Sequence, residues 1–81
     1  MIDDLIFEQV GDINIEYPYI CVYRFGMDSP FMGIGITSEK QLAFTFYAES
    51  KNISLSVAPW DEIARRGRVF LPRAIADHAA E

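Results

Sequence analysis

The chain has 81 residues, with 12 Asp and Glu against 7 Lys and Arg, so its formal net charge is −5. This length predicts one domain over residues 1–81, and an apolar share of 51 % is enough for one hydrophobic core. A single cysteine excludes an internal disulfide, and together with a single histidine it cannot complete a structural zinc site.

The first predicted element covers residues 2–10, as a strand or as a short terminal helix, and a tight turn follows at residues 11–12. Apolar side chains then occupy the odd positions of residues 13–25, an alternation typical of a half-buried strand. Proline cannot donate to a sheet ladder. Pro18 therefore indicates either an edge strand or a kink with a strand over residues 19–25.

Three further strands are predicted over residues 31–37, 41–49 and 53–57, and their short connections favour an antiparallel meander. Gly33 and Gly35 share one face of the first of these. Either this face lies close to other backbone, or it forms a flat groove that admits a ligand or a partner strand. The glycines do not form a phosphate loop, because no Lys-Ser/Thr pair and no helix follows them.

The apolar period changes to that of a helix from Trp60 onward. Pro59 suits a first helical position, acids follow in the predicted first turn, and arginines precede a predicted stop at Gly67. Pro72 predicts the start of a second short helix that continues to Ala80.

These elements predict an α+β fold, an antiparallel four- to five-stranded β-meander followed by one or two short C-terminal helices packed on one face. The other face of the sheet is expected to stay partly open. The predicted core consists of Ile13, Ile15, Cys21, Tyr23, Met32, Ile34, Ile36, Leu42, Phe44, Phe46, Ile53, Leu55, Val57, Trp60, Ile63, Phe70 and Leu71.

Few residues are suited to catalysis. His78 lies near the C-terminus and is interpreted as a surface histidine, and Cys21 as an inert buried thiol. The adjacent carboxylates at residues 3–4 would point to opposite faces of a strand, and those at 61–62 already serve a helix start. We therefore expect a non-enzymatic protein with no catalytic residue, no metal site and no cofactor.

The acidic charge is concentrated in the first half of the chain. Residues 1–50 hold eight acids and two bases, a net −6, whereas residues 51–81 hold four acids and five bases, a net +1. The acids either only keep a small protein soluble or form a surface that docks on a basic partner, with tyrosines supplying contact area. The predicted partner-binding residues are Asp3, Asp4, Glu8, Asp12, Glu16, Tyr17, Tyr19 and Asp28.

The function expected from this charge pattern is that of a small cytoplasmic inhibitor from a phage or bacterium, of the anti-CRISPR, anti-restriction or toxin-immunity kind. It would occlude a basic, nucleic-acid-handling site on a partner protein, and direct binding of nucleic acid or of a membrane is not expected. A structural homodimeric subunit that pairs an edge strand is an alternative. The arginines at 65, 66, 68 and 73 would form a nucleic-acid-binding patch in another alternative, although a helix C-terminus accounts for three of them without a ligand.

The segment KNISLSVAPW, residues 51–60, resembles the last strand and helix start of the positive-cofactor-four family of single-stranded-DNA-binding transcriptional coactivators. The resemblance implies a strongly bent four-stranded antiparallel sheet followed by one long helix, a dimer, and a single-stranded nucleic acid ligand. The sequence departs from this pattern in having few strand lysines and in placing Gly67 and Pro72 where the helix would run. The matching positions are Lys51, Ile53, Ser54, Leu55 and Trp60.

Overall fold

The structure, a computed structural model, describes residues 5–47 and 54–79. Its elements in chain order are β1 (Leu5–Val10), β2 (Tyr19–Arg24), β3 (Met32–Ile36), β4 (Leu42–Phe46) and α1 (Val57–Ala79). Each strand pairs antiparallel with its neighbour in sequence, in the spatial order β1-β2-β3-β4. The predicted α+β class and the antiparallel meander are therefore confirmed. The helix found in the described residues is not one that could cross a membrane.

The helix covers one face of the sheet. Val22 lies opposite Phe7 on one side and Met32 on the other, so these side chains share a face. Ile63 of α1 is fully buried against this face, and the core cluster that contains it consists of Ile20, Val22, Phe31, Met32, Ile34, Ile63, Phe70 and Ala74. Burial of these side chains is the main source of the fold's stability.

Gly67 lies on the side of α1 that packs closely against the sheet. A Cβ at this position would stand 3.3 Å from Leu42 Cδ1, 3.3 Å from Phe44 Cζ and 3.5 Å from Ile34 Cγ2. A Cβ here would be tighter than an ordinary carbon contact, so glycine lets the helix sit this near β3 and β4 without displacing Leu42 or Phe44. The predicted helix stop at Gly67 is therefore wrong, because this glycine serves packing in the middle of a continuous helix.

A single helix of 23 residues replaces the two short helices. Pro72 lies inside it on an exposed surface, where the missing N–H leaves only the carbonyl of residue 68 without its helical donor. Since α1 begins at Val57, the acids at 61–62 are not in its first turn, and the only basic residue in its last turn is His78. The arginines at 65, 66 and 68 lie mid-helix, so the dipole interpretation of them is also wrong.

The predicted fifth strand, residues 53–57, is not found in its described part. Ser54 to Ser56 belong to no strand, and Val57 already starts α1. Arg24 fixes this linker, since its Nη2 donates a hydrogen bond of 2.5 Å to the Ser54 carbonyl. The remainder of the predicted strand lies outside the described residues.

The predicted strand over residues 13–25 is shorter, and its faces are reversed. Residues 13–17 form turns and bends, and β2 begins directly after Pro18. This agrees with the kink alternative, whose predicted strand ends one residue later than β2. Ile20 and Val22, on the even positions, face the helix. Cys21 and Tyr23 belong to the other face, because both faces of this strand are apolar and alternation alone does not say which one the helix covers.

Several residues of the predicted core are exposed, because they lie in a turn, at the start of the helix or at the edge of the sheet. Ile13 is fully exposed in the turn after β1, and Val57 is 74 % exposed at the first turn of α1. Phe46 of β4 is 60 % exposed, and Trp60 of α1, which lies beside it, is 37 % exposed. Their rings stack with centroids 6.3 Å apart. Met32, Ile34, Ile63 and Phe70 are buried as predicted, whereas the residues of the predicted core found exposed are Ile13, Ile15, Phe46, Val57 and Trp60.

The order of four strands and one long helix agrees with what the coactivator resemblance implies. Of the matched residues, Trp60 lies in the first turn of α1 as the resemblance implies, whereas Ser54 and Leu55 lie in the linker rather than in a final strand. Lys51 and Ile53, two further matching positions, lie outside the described residues.

Candidate functional site: the open face of the sheet

The face of the sheet that points away from α1 carries a second set of side chains, which we call the open face. Its residues follow from the register, in which Glu8 pairs with Cys21, Cys21 with Gly33, and Gly33 with Thr45. The open face consists of Ile6, Glu8, Val10, Tyr19, Cys21, Tyr23, Gly33, Gly35, Ala43, Thr45 and Tyr47.

A shallow hollow of about 280 Å³ lies on the open face, and the rings of Tyr19 and Tyr47 contribute to its lining. Its floor is backbone, because Gly33 and Gly35 carry no side chain. The Tyr47 hydroxyl occupies the space that a Cβ on Gly33 would fill, whereas nothing lies within 4 Å of a Cβ built on Gly35. The hollow is therefore open above Gly35 and roofed by an aromatic ring above Gly33.

The backbone holds Tyr47 in place. Its N–H donates a hydrogen bond of 3.0 Å to the carbonyl of Phe31, so the pairing of the chain extends past the last residue of β4. Burial raises the pKa of the Tyr47 phenol, with the nearby Cys21 and Tyr19 adding to the shift. The phenol is consequently neutral at physiological pH and presents a ring face and a hydroxyl to the hollow.

Glu8 supplies the negative charge of the open face. The Tyr23 hydroxyl donates a hydrogen bond of 3.0 Å to Glu8 Oε1, and this bond, reinforced by desolvation, raises the pKa of the phenol. Beside it, burial and the charge of Glu8 raise the pKa of the Cys21 thiol, which keeps this cysteine protonated and unreactive. The face thus combines a carboxylate with protonated tyrosines, and none of its strand residues is basic.

The structure separates the predicted partner-binding residues. Asp12 and Glu16 are exposed in the β1–β2 connection, at the end of the sheet where Tyr19 begins β2. Asp28 follows β2 at the opposite end, roughly 17 Å away along a strand of six residues. Tyr17 is only 6 % exposed. Residues 3–4, both predicted to bind the partner, lie outside the described residues.

Tyr17 packs inside the protein instead of lying on a docking surface. Its ring packs against His78 with centroids 4.8 Å apart, and His78 Nε2 lies 3.8 Å from Glu16 Oε2. These contacts join the β1–β2 connection to the C-terminal end of α1. The Asp12 carboxylate accepts a hydrogen bond of 2.9 Å from the Asn14 N–H, which stabilises the turn in the same connection.

The sequence predicts the hollow only in part. The alternation of Gly33 and Gly35 indicates a flat groove as one of two interpretations of that face. Tyr23 is a predicted core residue, because the alternation alone suggests the opposite orientation for β2. The strand register, which brings Tyr19 and Tyr47 to the same hollow, is a long-range property that no local pattern reveals.

Within residues 5–47 and 54–79, no group of three or more metal-ligating side chains is found. Comparison of the chain with known protein families, with curated proteins and with solved structures finds no match. The geometry of the open face is therefore the observation from which a function can be inferred.

Proposed function

We propose that the protein is a non-enzymatic binding module whose open face docks on a basic surface of a partner protein. The observation that carries this proposal is the glycine-floored hollow beside Tyr19 and Tyr47, on a face whose described strand residues include Glu8 and no base. Tyrosine-rich patches with a concave centre are typical of protein interfaces.

The occupant that suits the hollow is an arginine or lysine side chain. A guanidinium or ammonium over the face of a tyrosine ring gains about 0.5–2 kcal/mol, the larger value when water is excluded. Glu8 lies two strands from Gly33 in the ladder, roughly 10 Å, which is about one Debye length at physiological salt. Its charge, with those of Asp12 and Glu16 at the same end of the sheet, attracts the cation before contact.

A narrower form of the proposal makes the partner a nuclease or another protein that handles nucleic acid. The basic site of such a protein is complementary to an acidic, tyrosine-bearing face, and occupying it would exclude the nucleic acid. The protein would then act as an inhibitor by steric and electrostatic occlusion. This form requires that the protein and a nucleic acid compete for the same partner.

Binding of a fluorescein-labelled arginine-rich peptide, followed by anisotropy, tests the docking proposal. A Cβ at Gly35 meets nothing within 4 Å, and valine there would occupy the hollow with a strand-forming side chain. We therefore expect Gly35→Val to lower the peptide affinity about tenfold and to retain the melting temperature. Gly11→Val is the matched control, since a Cβ there also meets nothing within 4 Å. Glu8→Gln should slow association, whereas Glu39→Gln in the β3–β4 turn should not.

Equal affinity of Gly35→Val and Gly11→Val for the peptide would contradict the proposal, as would a peptide that does not bind at low salt. In the narrower form, an excess of the protein should release a labelled oligonucleotide from its partner. Retention of that oligonucleotide in a ternary complex would exclude occlusion.

The exposed aromatic rings at the edge of the sheet favour a second candidate function, that of a homodimeric subunit. Among the described residues β4 pairs only with β3, and its Phe46 is 60 % exposed beside the partly exposed Trp60. Pairing of two β4 edges would bury these rings. Sedimentation of two variants tests this candidate. Phe46→Ser should sediment as a monomer, whereas Val69→Ser, an equally radical change at a partly exposed residue of α1, should remain a dimer.

A single-stranded nucleic acid ligand, implied by the coactivator resemblance, is the remaining alternative. Stacking rings are present in Phe46 and Trp60, but the open face has no base among its strand residues to neutralise phosphates. Anisotropy of a labelled oligonucleotide at low and moderate salt tests it, with a steep salt slope expected if this alternative is right.

A further inference from the structure

A second and larger cavity lies on the helix side of the sheet, between β1 and α1. Its volume is about 580 Å³, within the range of small-molecule sites in proteins. Buried apolar side chains of Ile20, Phe70 and Ala74 contribute to its lining. Its cations are three arginines of α1: Arg65, Arg66 and Arg73.

Two of these arginines are held in position. Glu62 accepts hydrogen bonds from Arg65 Nε and Nη2, at 2.9 and 2.6 Å, and from Arg66 Nε, at 2.8 Å. The Arg66 guanidinium also lies 4.1 Å above the ring centroid of Phe7. Its two terminal nitrogens have no acceptor among the described residues, so they remain available as oriented donors.

Arg73 has no ion pair within the part of the chain that the structure describes. A helix C-terminus does not account for it, because six residues of α1 follow it. The cavity and its surroundings hold three arginines against the carboxylates of Glu62 and Asp77, a local net of +1 in a chain of net −5. This basic concavity of an acidic protein therefore has an apolar floor, and guanidinium nitrogens at its rim have no acceptor among the described residues.

We propose that this cavity binds a small amphipathic anion, a molecule with one carboxylate, sulfonate or phosphate group on an apolar body. The acidic group would lie between Arg66 and Arg73, and the apolar body would cover Ile20 and Phe70. Planar guanidinium groups suit such oxyanions because they donate paired hydrogen bonds. The site lies on the opposite side of the sheet from the open face, so it is independent of the proposed docking function.

The test uses the fluorescent sulfonate 8-anilinonaphthalene-1-sulfonate and its uncharged analogue N-phenyl-1-naphthylamine. We expect the wild-type protein to bind the sulfonate more tightly than the analogue, and inorganic phosphate to compete only weakly because it lacks an apolar body. Arg73→Gln should weaken sulfonate binding about tenfold and leave analogue binding unchanged. Arg68→Gln is the matched control, since it removes the same charge from an exposed position of α1 outside the cavity.

Circular dichroism melting of both variants checks that folding is intact. The proposal is overturned if the wild-type protein does not bind the sulfonate. It is overturned equally if Arg73→Gln and Arg68→Gln bind it alike, because the dye would then report other apolar surface. A loss confined to Arg73→Gln supports it.

Discussion

Substitution of Gly67 by valine tests the contact on which the packing of α1 depends. Helix propensity alone favours valine over glycine by a few tenths of a kcal/mol. The Cβ, however, would stand 3.3 Å from both Leu42 Cδ1 and Phe44 Cζ, inside the 3.5–4.0 Å of an ordinary carbon contact, and two methyl groups would follow it. Overpacking of this kind costs about 1–3 kcal/mol, so we expect Gly67→Val to lower the free energy of unfolding by about that amount.

Alanine at Gly67 should change the free energy of unfolding much less. Its propensity gain of about 1 kcal/mol opposes the small shifts that Leu42 and Phe44 must make. Urea unfolding followed by circular dichroism gives both values, and Arg68→Val against Arg68→Gly measures the propensity difference alone on an exposed position of the same helix. If Gly67→Val is as stabilising as the Arg68 pair predicts, the helix does not approach the sheet at this residue.

Three further predictions concern single side chains. Trp60→Ala should cost about 2–3 kcal/mol, less than a full core truncation, because the ring is 37 % exposed yet packs on two phenylalanine rings of β4; a loss of 4 kcal/mol or more in urea unfolding would show it to be buried. Hydrogen bonds from Arg65 and then Arg66 lower the pKa of Glu62 from 4.5 to about 2, so its ionised form stabilises the fold above the ordinary pKa and this contribution is lost as the pH falls from about 4.5 to 2. Glu62→Gln should therefore lose less stability than the wild type across that window, and parallel melting curves from pH 5 to 2 would contradict the pairing. Burial, with a smaller effect of the Glu8 charge, raises the pKa of the Cys21 thiol. Its reaction with a disulfide reagent at pH 8 should therefore be slow in the folded protein and fast in urea. Equal rates would show the thiol to be exposed.

The sequence predicts the strands well where only one face is apolar. In β3 and β4, glycines or small or polar residues alternate with large apolar ones, so the alternation identifies both strands. Each strand begins one residue after its predicted start. In β2 both faces are apolar, so the alternation finds the strand but not the side that the helix covers. That choice depends on the pairing of Val22 with Phe7 and Met32, which is a tertiary property.

Local helix breakers in the sequence predict two short helices, whereas tertiary packing produces one long helix. Gly67 and Pro72 have low helix propensities, but the first is needed where α1 meets the sheet and the second lies where its ring meets solvent. The sequence predicts that one sheet face stays partly open, but the register decides which residues meet there. Its glycines were visible in the sequence, whereas the meeting of Tyr19 and Tyr47 required the fold.

A titration of ¹⁵N-labelled protein with an arginine-rich peptide, followed by amide NMR, tests docking by the open face most directly. The glycine amides serve as reporters, because Gly33 and Gly35 line the hollow while Gly67 lies in α1, buried against the other face of the sheet. We predict saturable shifts at Gly33 and Gly35, with Gly67 unchanged. If the peptide changes other amide signals but not those of Gly33 and Gly35, docking of a basic partner on this face is contradicted.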